Sequence, residues 1–352
     1  MDTDSNVTIR QIASHVGLHY STVSLALRDS PKIAEETRHR VKLAAQELGY
    51  RVNPMFSALS SYRRKQRPAS FQSTIAVLSD DFNRYKLPPN NPWSKNVYDI
   101  NQQALECMTR RAASRGFKID LFDVSSNGYS PSALRRILIS RGIEHVILLP
   151  FQEVISILPV DLSGFAVVAI GYTVESPNFH RVAIHQFENM RRHLQVLRSK
   201  GYHKIGLQLR PSIDARTKRH WRAAYTHDAE VHKTPHALFE TQWLNGDRSC
   251  WEEWYHKYKP QALICDDYFV KEIAATGITF PSTLFLSGLT VGGNSFLAGW
   301  DELSWHVYEE SVDRVISLHR LGRGNHIASE GAPILLITGR YQDSPIESAS
   351  GC

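Results

Sequence analysis

Four hydroxyl side chains crowd into five residues at Tyr20, Ser21, Thr22 and Ser24, with His19 just before them. Presented from one end of a short helix, such groups exchange hydrogen bonds with phosphate oxygens and with the edges of bases. Downstream, Arg63, Arg64, Lys65 and Arg67 form a basic run suited to phosphate. The charge of the chain is concentrated around both features. Residues 1–70 carry 11 Lys+Arg against 6 Asp+Glu, a net charge of +5, whereas the remaining 282 residues carry 30 against 29. Almost all of the overall +6 therefore sits in the first fifth of the chain. Positive charge localised beside a hydrogen-bonding helix is the electrostatic footprint of a phosphate-binding module.

The elements that must present these groups follow from spacing. Thr8 and Gln11 form a capping-box pair, and Ile9, Ile12, Ala13 and Val16 recur at helical spacing, which predicts a first helix starting at Thr8. Gly17 supplies the positive φ that a sharp turn needs. A second helix over 20–27 buries Val23, Ala26 and Leu27, leaving the hydroxyls near its N-terminal end. A third over 33–48 packs through Val41, Ala44, Ala45 and Leu48 and stops at Gly49. Asn53, Pro54 and a short amphipathic run over 55–59 come next. A helix, a glycine and a helix also describe an ordinary surface hairpin; the charge asymmetry decides for a domain that lays one helix in a DNA groove.

These residues carry a resemblance. Val7-Thr8-Ile9-Arg10-Gln11-Ile12-Ala13, Gly17-Leu18-His19-Tyr20-Ser21-Thr22-Val23-Ser24, Thr37 to Arg40, Leu48-Gly49-Tyr50 and Asn53 resemble the head of the lactose-repressor (LacI/GalR-type) family of bacterial transcription regulators. The resemblance implies that Tyr20, Ser21 and the position of Leu25 read the major groove, and that Thr8, His19, Thr22, Ser24, Thr37, Tyr50 and Asn53 contact the DNA backbone. It places Leu59 where the family inserts a leucine wedge into the minor groove from a hinge helix. Three departures stand out. Leu25 occupies a position where many members have arginine, so apolar contact, for instance with a thymine methyl, replaces a bidentate guanine contact. Ala34 stands where a serine usually caps the third helix, and Val52 replaces the usual proline before the hinge.

Behind the head there is room for one large or two medium lobes. Short apolar runs at 74–78, 118–122, 145–150, 166–171, 204–209, 262–265, 284–286 and 333–338 predict strands. Helical patterns fall between them at 101–115, 131–140, 186–200, 215–225, 268–276 and 303–318, and the alternation implies parallel sheets wound by helices. The resemblance extends here through 197–206, 260–267, 281–288 and 334–340. The expected fold is thus an all-α helix-turn-helix head on an α/β periplasmic-binding-protein-like core of two doubly wound parallel-sheet subdomains. The expected divisions are a DNA-binding domain over 1–52, a hinge helix and basic linker over 53–70, and an effector-binding and dimerisation domain over 71–352. Within the last, the chain is expected to cross between subdomains near 172–185 and 287–300.

Ligands of doubly wound folds sit outside the carboxyl ends of the strands. That rule points to Asp80 and Asp81, Gly171 and Tyr172, 214–221 and 266–268. Where sugar-binding members of the family place an Asp, an Arg and a further Asp, this chain has His185, Thr217 and Thr290. Arg216 or Arg219 is then a candidate for the guanidinium, with Asp80, His185, Trp221 and Asp266 as further effector contacts. The insertion over 82–96, with Pro88, Pro89, Pro92 and Trp93, follows the first strand of the core and is placed to cover the pocket. Trp251 and Trp254 at helical spacing read as packing residues.

Several functions are excluded or set behind. The chain opens Met-Asp-Thr-Asp without a basic and apolar leader, and no apolar run approaches the ~20 residues that span a bilayer. A cytoplasmic, nucleoid-associated bacterial protein with no membrane partner is the expectation. Cys107, Cys250, Cys265 and Cys352 are scattered, indicating buried thiols rather than zinc or a disulfide framework, and no His spacing suggests a metal. No cofactor is implied. Glycine-rich phosphate loops and a Gly-x-Ser-x-Gly elbow are missing, so an enzyme with an appended head is the weakest reading. The reading adopted is a sequence-specific transcription regulator, an effector-responsive repressor that binds a palindromic double-stranded operator as a homodimer, its effector a small molecule of carbohydrate-derived type. A DNA-binding protein whose core has lost ligand binding is the alternative.

Overall fold

The computed structural model describes residues 9–27, 33–48, 73–82, 95–125, 128–241, 249–292, 295–320 and 331–343. The chain divides into two compact units, Met1–Pro68 and Ala69–Cys352.

The first unit holds α1 (Ile9–Val16), α2 (Tyr20–Ala26) and α3 (Glu35–Glu47). Ile12, Ala13, Val23, Ala26, Val41, Ala44 and Ala45 form its core, flanked by Ile9, Val16, Leu18, Leu27, Ile33 and Leu48. Small residues at the centre let three short helices approach closely. Gly17, at φ +67°, ends α1. Leu18 N–H then reaches back to Ala13 O at 3.0 Å, the 6→1 bond of a Schellman turn, and Leu18 folds onto the core. At the start of α3, Ala34 offers no side-chain cap, as its missing hydroxyl predicts. Glu35 and Glu36 in the first turn offset part of that loss by facing the positive end of the helix dipole.

The second unit contains two six-stranded sheets. Strands β1 (Ser73–Ser79), β2 (Phe117–Asp123), β3 (His145–Leu148), β4 (Ile155–Ile157), β5 (Ala166–Ile170), β6 (Val174–Ser176) and β7 (His180–Ile184) come first in the chain. They are followed by β8 (Ile205–Leu209), β9 (Leu238–Glu240), β10 (Ala262–Cys265), β11 (Phe285–Val291), β12 (Gly299–Asp301), β13 (Ile334–Ile337) and β14 (Arg340–Gln342). Lobe 1 has the order β13-β7-β5-β3-β1-β2, all parallel. Lobe 2 has the order β14-β12-β11-β10-β8-β9, parallel except for β14. The fold is the doubly wound, periplasmic-binding-protein-like architecture, with one antiparallel edge strand that the sequence pattern does not announce.

Helices α4 (Lys95–Ser114) and α5 (Pro131–Ser140) follow β1 and β2, and α6 (Gln186–Ser199) follows β7. Lobe 2 then supplies α7 (Pro211–Arg216), α8 (His220–Val231), α9 (Ser249–Tyr258) and α10 (Asp267–Ala275), and α11 (Ser304–Arg320) comes after β12. Met108 of α4 and Val312 of α11 pack with Ile75, Val77 and Ile147 on one face of the lobe 1 sheet, while Leu134 and Leu138 of α5 pack with Ala76, Leu78 and Leu148 on the other. Lobe 2 is likewise covered by α6 and α8 on one face and by α9 and α10 on the other. Each fully buried Leu, Ile or Phe contributes roughly 1.5–3 kcal/mol, so these faces supply most of the stabilisation. Trp251 and Trp254 are core residues of α9, as their spacing predicts.

Three connections join the lobes: β7 to α6 through His185, β12 to α11 through 302–303, and β13 to β14 through 338–339. They are bonded to one another's neighbourhoods. His185 N–H donates to Ile337 O at 2.8 Å, and Gly339 N–H donates to Asn189 Oδ1 at 3.0 Å. A Cβ on Gly339 would lie 2.0 Å from Asp301 O and 2.6 Å from Trp300 Nε1, so only glycine lets the third connection pass the second. The strand expected over 333–338 is β13 of lobe 1, ending at Ile337, and the chain passes from it at that point into β14 of lobe 2. Behind the connections His193 is 1% exposed and pairs with Ser287 Oγ at 2.7 Å, with the rings of Trp300 and Tyr341 beside it. Burial pushes its imidazole down to about 3, which keeps it neutral.

The cysteines differ from the expectation of buried thiols. Cys265 is a buried free thiol, but Cys250 is exposed, because Trp251, its neighbour on α9, takes the inward face. Cys107, buried on α4, is disulfide-bonded, which scattered spacing does not reveal.

Candidate functional site

The head exposes chemistry on the side of α2 opposite its core. Val23 and Ala26 are buried, which leaves Tyr20 53% and Leu25 38% exposed. His19 precedes the helix, its backbone carbonyl accepting from Thr22 N–H at 3.0 Å and Val23 N–H at 3.2 Å, and its ring lies 4.4 Å from that of Tyr20. Thr22 of α2 and Thr37 of α3 are half-buried. Ser21 and Ser24 belong to α2, with side chains outside the described set. Thr8, Tyr50, Asn53, Leu59 and the basic run at 63–67 lie outside the described residues. The exposed pair on α2 is thus a phenol and an aliphatic chain, able to offer one hydroxyl and one apolar contact to a surface that approaches it.

The core encloses a cleft of about 230 Å³ between its lobes. Lobe 1 contributes the end of β5 and the turn after it, Ile170 to Thr173, with Ser304, Val307 and Tyr308 of α11. Lobe 2 contributes Ile213, Arg216 and Thr217 of the α7 region and Trp221 of α8, while Gln186 and Glu302 come from two of the connections. Trp221 is 6% exposed, its ring packed among Leu209 and Ala224 with part of its surface on the cleft. The turn between α7 and α8 holds Lys218 and Arg219 in left-handed backbone conformations, φ 55° and 59°. Such residues are uncommon there and persist only where the surroundings over-determine them. Two contacts bridge the lobes beside this turn: Lys218 Nζ pairs with Glu175, and the Tyr172 and His220 rings meet edge-on at 5.1 Å.

Two acceptors in the cleft lack a partner among the described residues. Gln186 is 8% exposed and its Oε1 receives no hydrogen bond; Glu302 Oε1 is buried in the same condition. Desolvation, reinforced by the neighbouring Asp301 carboxylate, raises the Glu302 carboxyl to about 8, so it is an uncharged acid at neutral pH.

Of the residues proposed from sequence for an effector, the cleft wall includes Arg216 and Trp221. Asp266, His185 and Asp80 have structural partners instead, and Arg219 does not line it. Asp266 caps α10 by accepting from Phe269 N–H at 2.7 Å and pairs with Arg210 at 3.0 Å. His185 caps α6, its Nδ1 accepting from Glu188 N–H at 3.4 Å. Asp80 accepts from Gln152 N–H at 2.9 Å, and Arg219 is exposed on the strained turn. Gln186, Glu302 and Tyr308 were missed. Gln186 and Glu302 follow the ends of β7 and β12, and the strand-end rule finds them once those strands are recognised. Among the described residues no group of three or more His, Cys, Asp and Glu is arranged to hold a metal, and no helix is long and apolar enough to cross a membrane.

A helix-turn-helix head with an outward-facing second helix, followed by a two-lobed core with a ligand-sized cleft, defines a class of two-part binding protein. Residues 8–53 match the family model of bacterial regulatory proteins, lacI family. A curated relative, the HTH-type transcriptional regulator RegA of Clostridium saccharobutylicum, is 31% identical over 97 residues, 27% of each chain, so the match spans about a quarter of that relative. Among solved structures, the CelR–cellobiose complex superposes with a TM-score of 0.53 at 15% identity, covering 96% of this chain and 99% of that one. The lac repressor dimer bound to operator and the anti-inducer ONPF gives 0.51 at 16% identity, over 97% and 100%. A LacI-family regulatory protein from Chloroflexus aggregans gives 0.57 at 16% identity, over 79% and 98%. The head thus matches the lacI family of bacterial regulatory proteins over residues 8–53, and the whole chain shares the fold of these solved structures.

Proposed function

We propose that the protein is a sequence-specific DNA-binding transcription regulator, an effector-responsive repressor that acts as a homodimer on a palindromic operator. The observation that carries this reading is the outward face of α2, Tyr20 and Leu25, on a three-helix head whose sequence matches the family model over residues 8–53. In this reading α2 enters the major groove, Tyr20 and Ser21 hydrogen-bond to base edges, and Leu25 makes an apolar contact. Thr8, His19, Thr22, Ser24, Thr37, Tyr50 and Asn53 hold the backbone, and Leu59 wedges into the minor groove. Identical heads on a two-fold axis make the operator palindromic. Double-stranded DNA as the partner implies a cytoplasmic, nucleoid-associated protein.

The cleft is the effector site in this reading. A ligand held there changes DNA affinity only as far as it binds the DNA-competent and DNA-incompetent states differently, a coupling usually of about 1 to 3 kcal/mol. Arg216 and Trp221 are the effector contacts retained. A genome-wide footprint of bound sites is the test: recovery of one palindromic consensus is expected, and binding without sequence preference would overturn the reading. A Leu59→Ala chain is expected to bind the operator more weakly and bend it less while non-specific, salt-sensitive binding persists.

A further inference from the structure

The cleft is unusual in what it leaves unmet. Gln186 Oε1 is a carbonyl oxygen and accepts hydrogen bonds only; buried and unpartnered among the described residues, it is left unmet until a donor arrives. Glu302 Oε1 stands in the same position on the neighbouring connection. The carboxylate beside it, Asp301, is occupied: it accepts from Leu303 N–H at 2.9 Å and faces Arg340 at 3.7 Å. Arg340 serves Asp301, and among the described residues no cation is paired with Glu302, whose acid is kept protonated by burial well above the ordinary carboxylate range. Around these acceptors stand three aromatic rings, Tyr172, Trp221 and Tyr308. Aromatic faces favour a cation or the apolar face of a sugar ring.

We infer that the cleft takes a monosaccharide-sized ligand bearing a primary ammonium, whose N–H groups are received together by Gln186 Oε1 and the Glu302 carboxylate. The inference rests on the reading of the cleft as the effector site. Size sets the first limit. A cleft of about 230 Å³ is below the roughly 300–1,000 Å³ of drug-sized pockets, a size that suits a single ring. Charge sets the second. A neutral polyol can hydrogen-bond to both oxygens but leaves the Glu302 carboxyl un-ionised, whereas an ammonium supplies N–H donors to both and the positive charge that lets the carboxyl ionise. On binding, the Glu302 proton passes to solvent and the ligand nitrogen stays protonated. Arg216 belongs to the lobe 2 wall of the same cleft.

The test uses the full-length chain, with thermal shift and calorimetry on D-glucosamine, D-galactosamine and D-mannosamine, each against its parent hexose and its N-acetyl form. At least one amino sugar is expected to stabilise the core and to bind about tenfold or more tightly than both neutral counterparts. Glu302→Gln is expected to remove that preference while the core remains folded, and Gln186→Leu to weaken the amine without favouring the hexose. The inference is overturned if the hexoses bind as well as the amines, if the preference survives Glu302→Gln, or if no amine binds. Thr217→Trp, which fills the cleft wall, separates the two levels. A neutral metabolite whose binding Thr217→Trp abolishes refutes the ammonium and keeps the cleft, whereas ligands indifferent to Thr217→Trp refute the cleft as the effector site.

Discussion

The head turns its reactive groups outward from a core of small residues, while the two lobes turn theirs inward to a cleft that neither lobe forms alone. Tyr20 and Leu25 project from one short helix whose other side, Val23 and Ala26, is buried; presentation is decided within seven residues. In the cleft, Gln186, Arg216, Trp221 and Glu302 come from four separate segments, brought together by three crossings of the chain. The difference teaches where mutations act. Head chemistry depends on one helix packing correctly, and cleft chemistry depends on how the connections pass one another.

The contrast is broken most severely through the cores. Ile12→Ala removes a fully buried side chain from the centre of the small head, at a cost of about 2–5 kcal/mol. The head is expected to melt as a separate, earlier calorimetric transition and DNA binding to be lost, with the core transition unmoved; a shift of both transitions would show that the two units do not fold independently. Gly339→Ala does the converse. Its Cβ collides with the Asp301 carbonyl, so the core is expected to lose about 1–3 kcal/mol and ligand binding to weaken while the head transition of the same chain stays where it is.

Acid distinguishes the regions more gently. The folded His193 is held at about 3, below its ordinary value near 6.5, so its contribution is complete above pH 6.5 and is lost as pH falls below it. Between pH 6.5 and 5 the core is expected to lose about 2 kcal/mol from this group. His193→Gln, compared by the slope of denaturation midpoint against pH, is expected to flatten that loss; an unchanged slope would assign it elsewhere.

Within the head, Leu25→Arg tests presentation without touching packing, since Leu25 is exposed. It is expected to shift preference toward guanine at one position of each half-site by about 1–3 kcal/mol, read from selected operator sequences. Ala34→Ser is the smallest change. A hydroxyl at the uncapped start of α3 is expected to raise head stability by about 1 kcal/mol and leave the core transition where it is.

The sequence by itself determined the head and the winding of the lobes. Ile9, Ile12, Ala13 and Val16 fall on one helical face, Gly17 ends that helix, and buried strands such as β1, β3, β5 and β10 read as continuous apolar runs. Helical and strand periods are properties of neighbours in the chain, and they survive without knowledge of the rest. Tertiary structure decided what local period does not encode. Strand β7 begins with His180 and Arg181, and β12 and β14 are three residues long, too short and too polar to show a period. Gln186 and Glu302 follow two of those strands, so the cleft-lining acceptors were hidden with them, while Asp266 and His185 proved to be helix caps. Burial of a polar atom is set by chain segments more than a hundred residues apart, and only their packing shows which oxygen is left waiting for a donor.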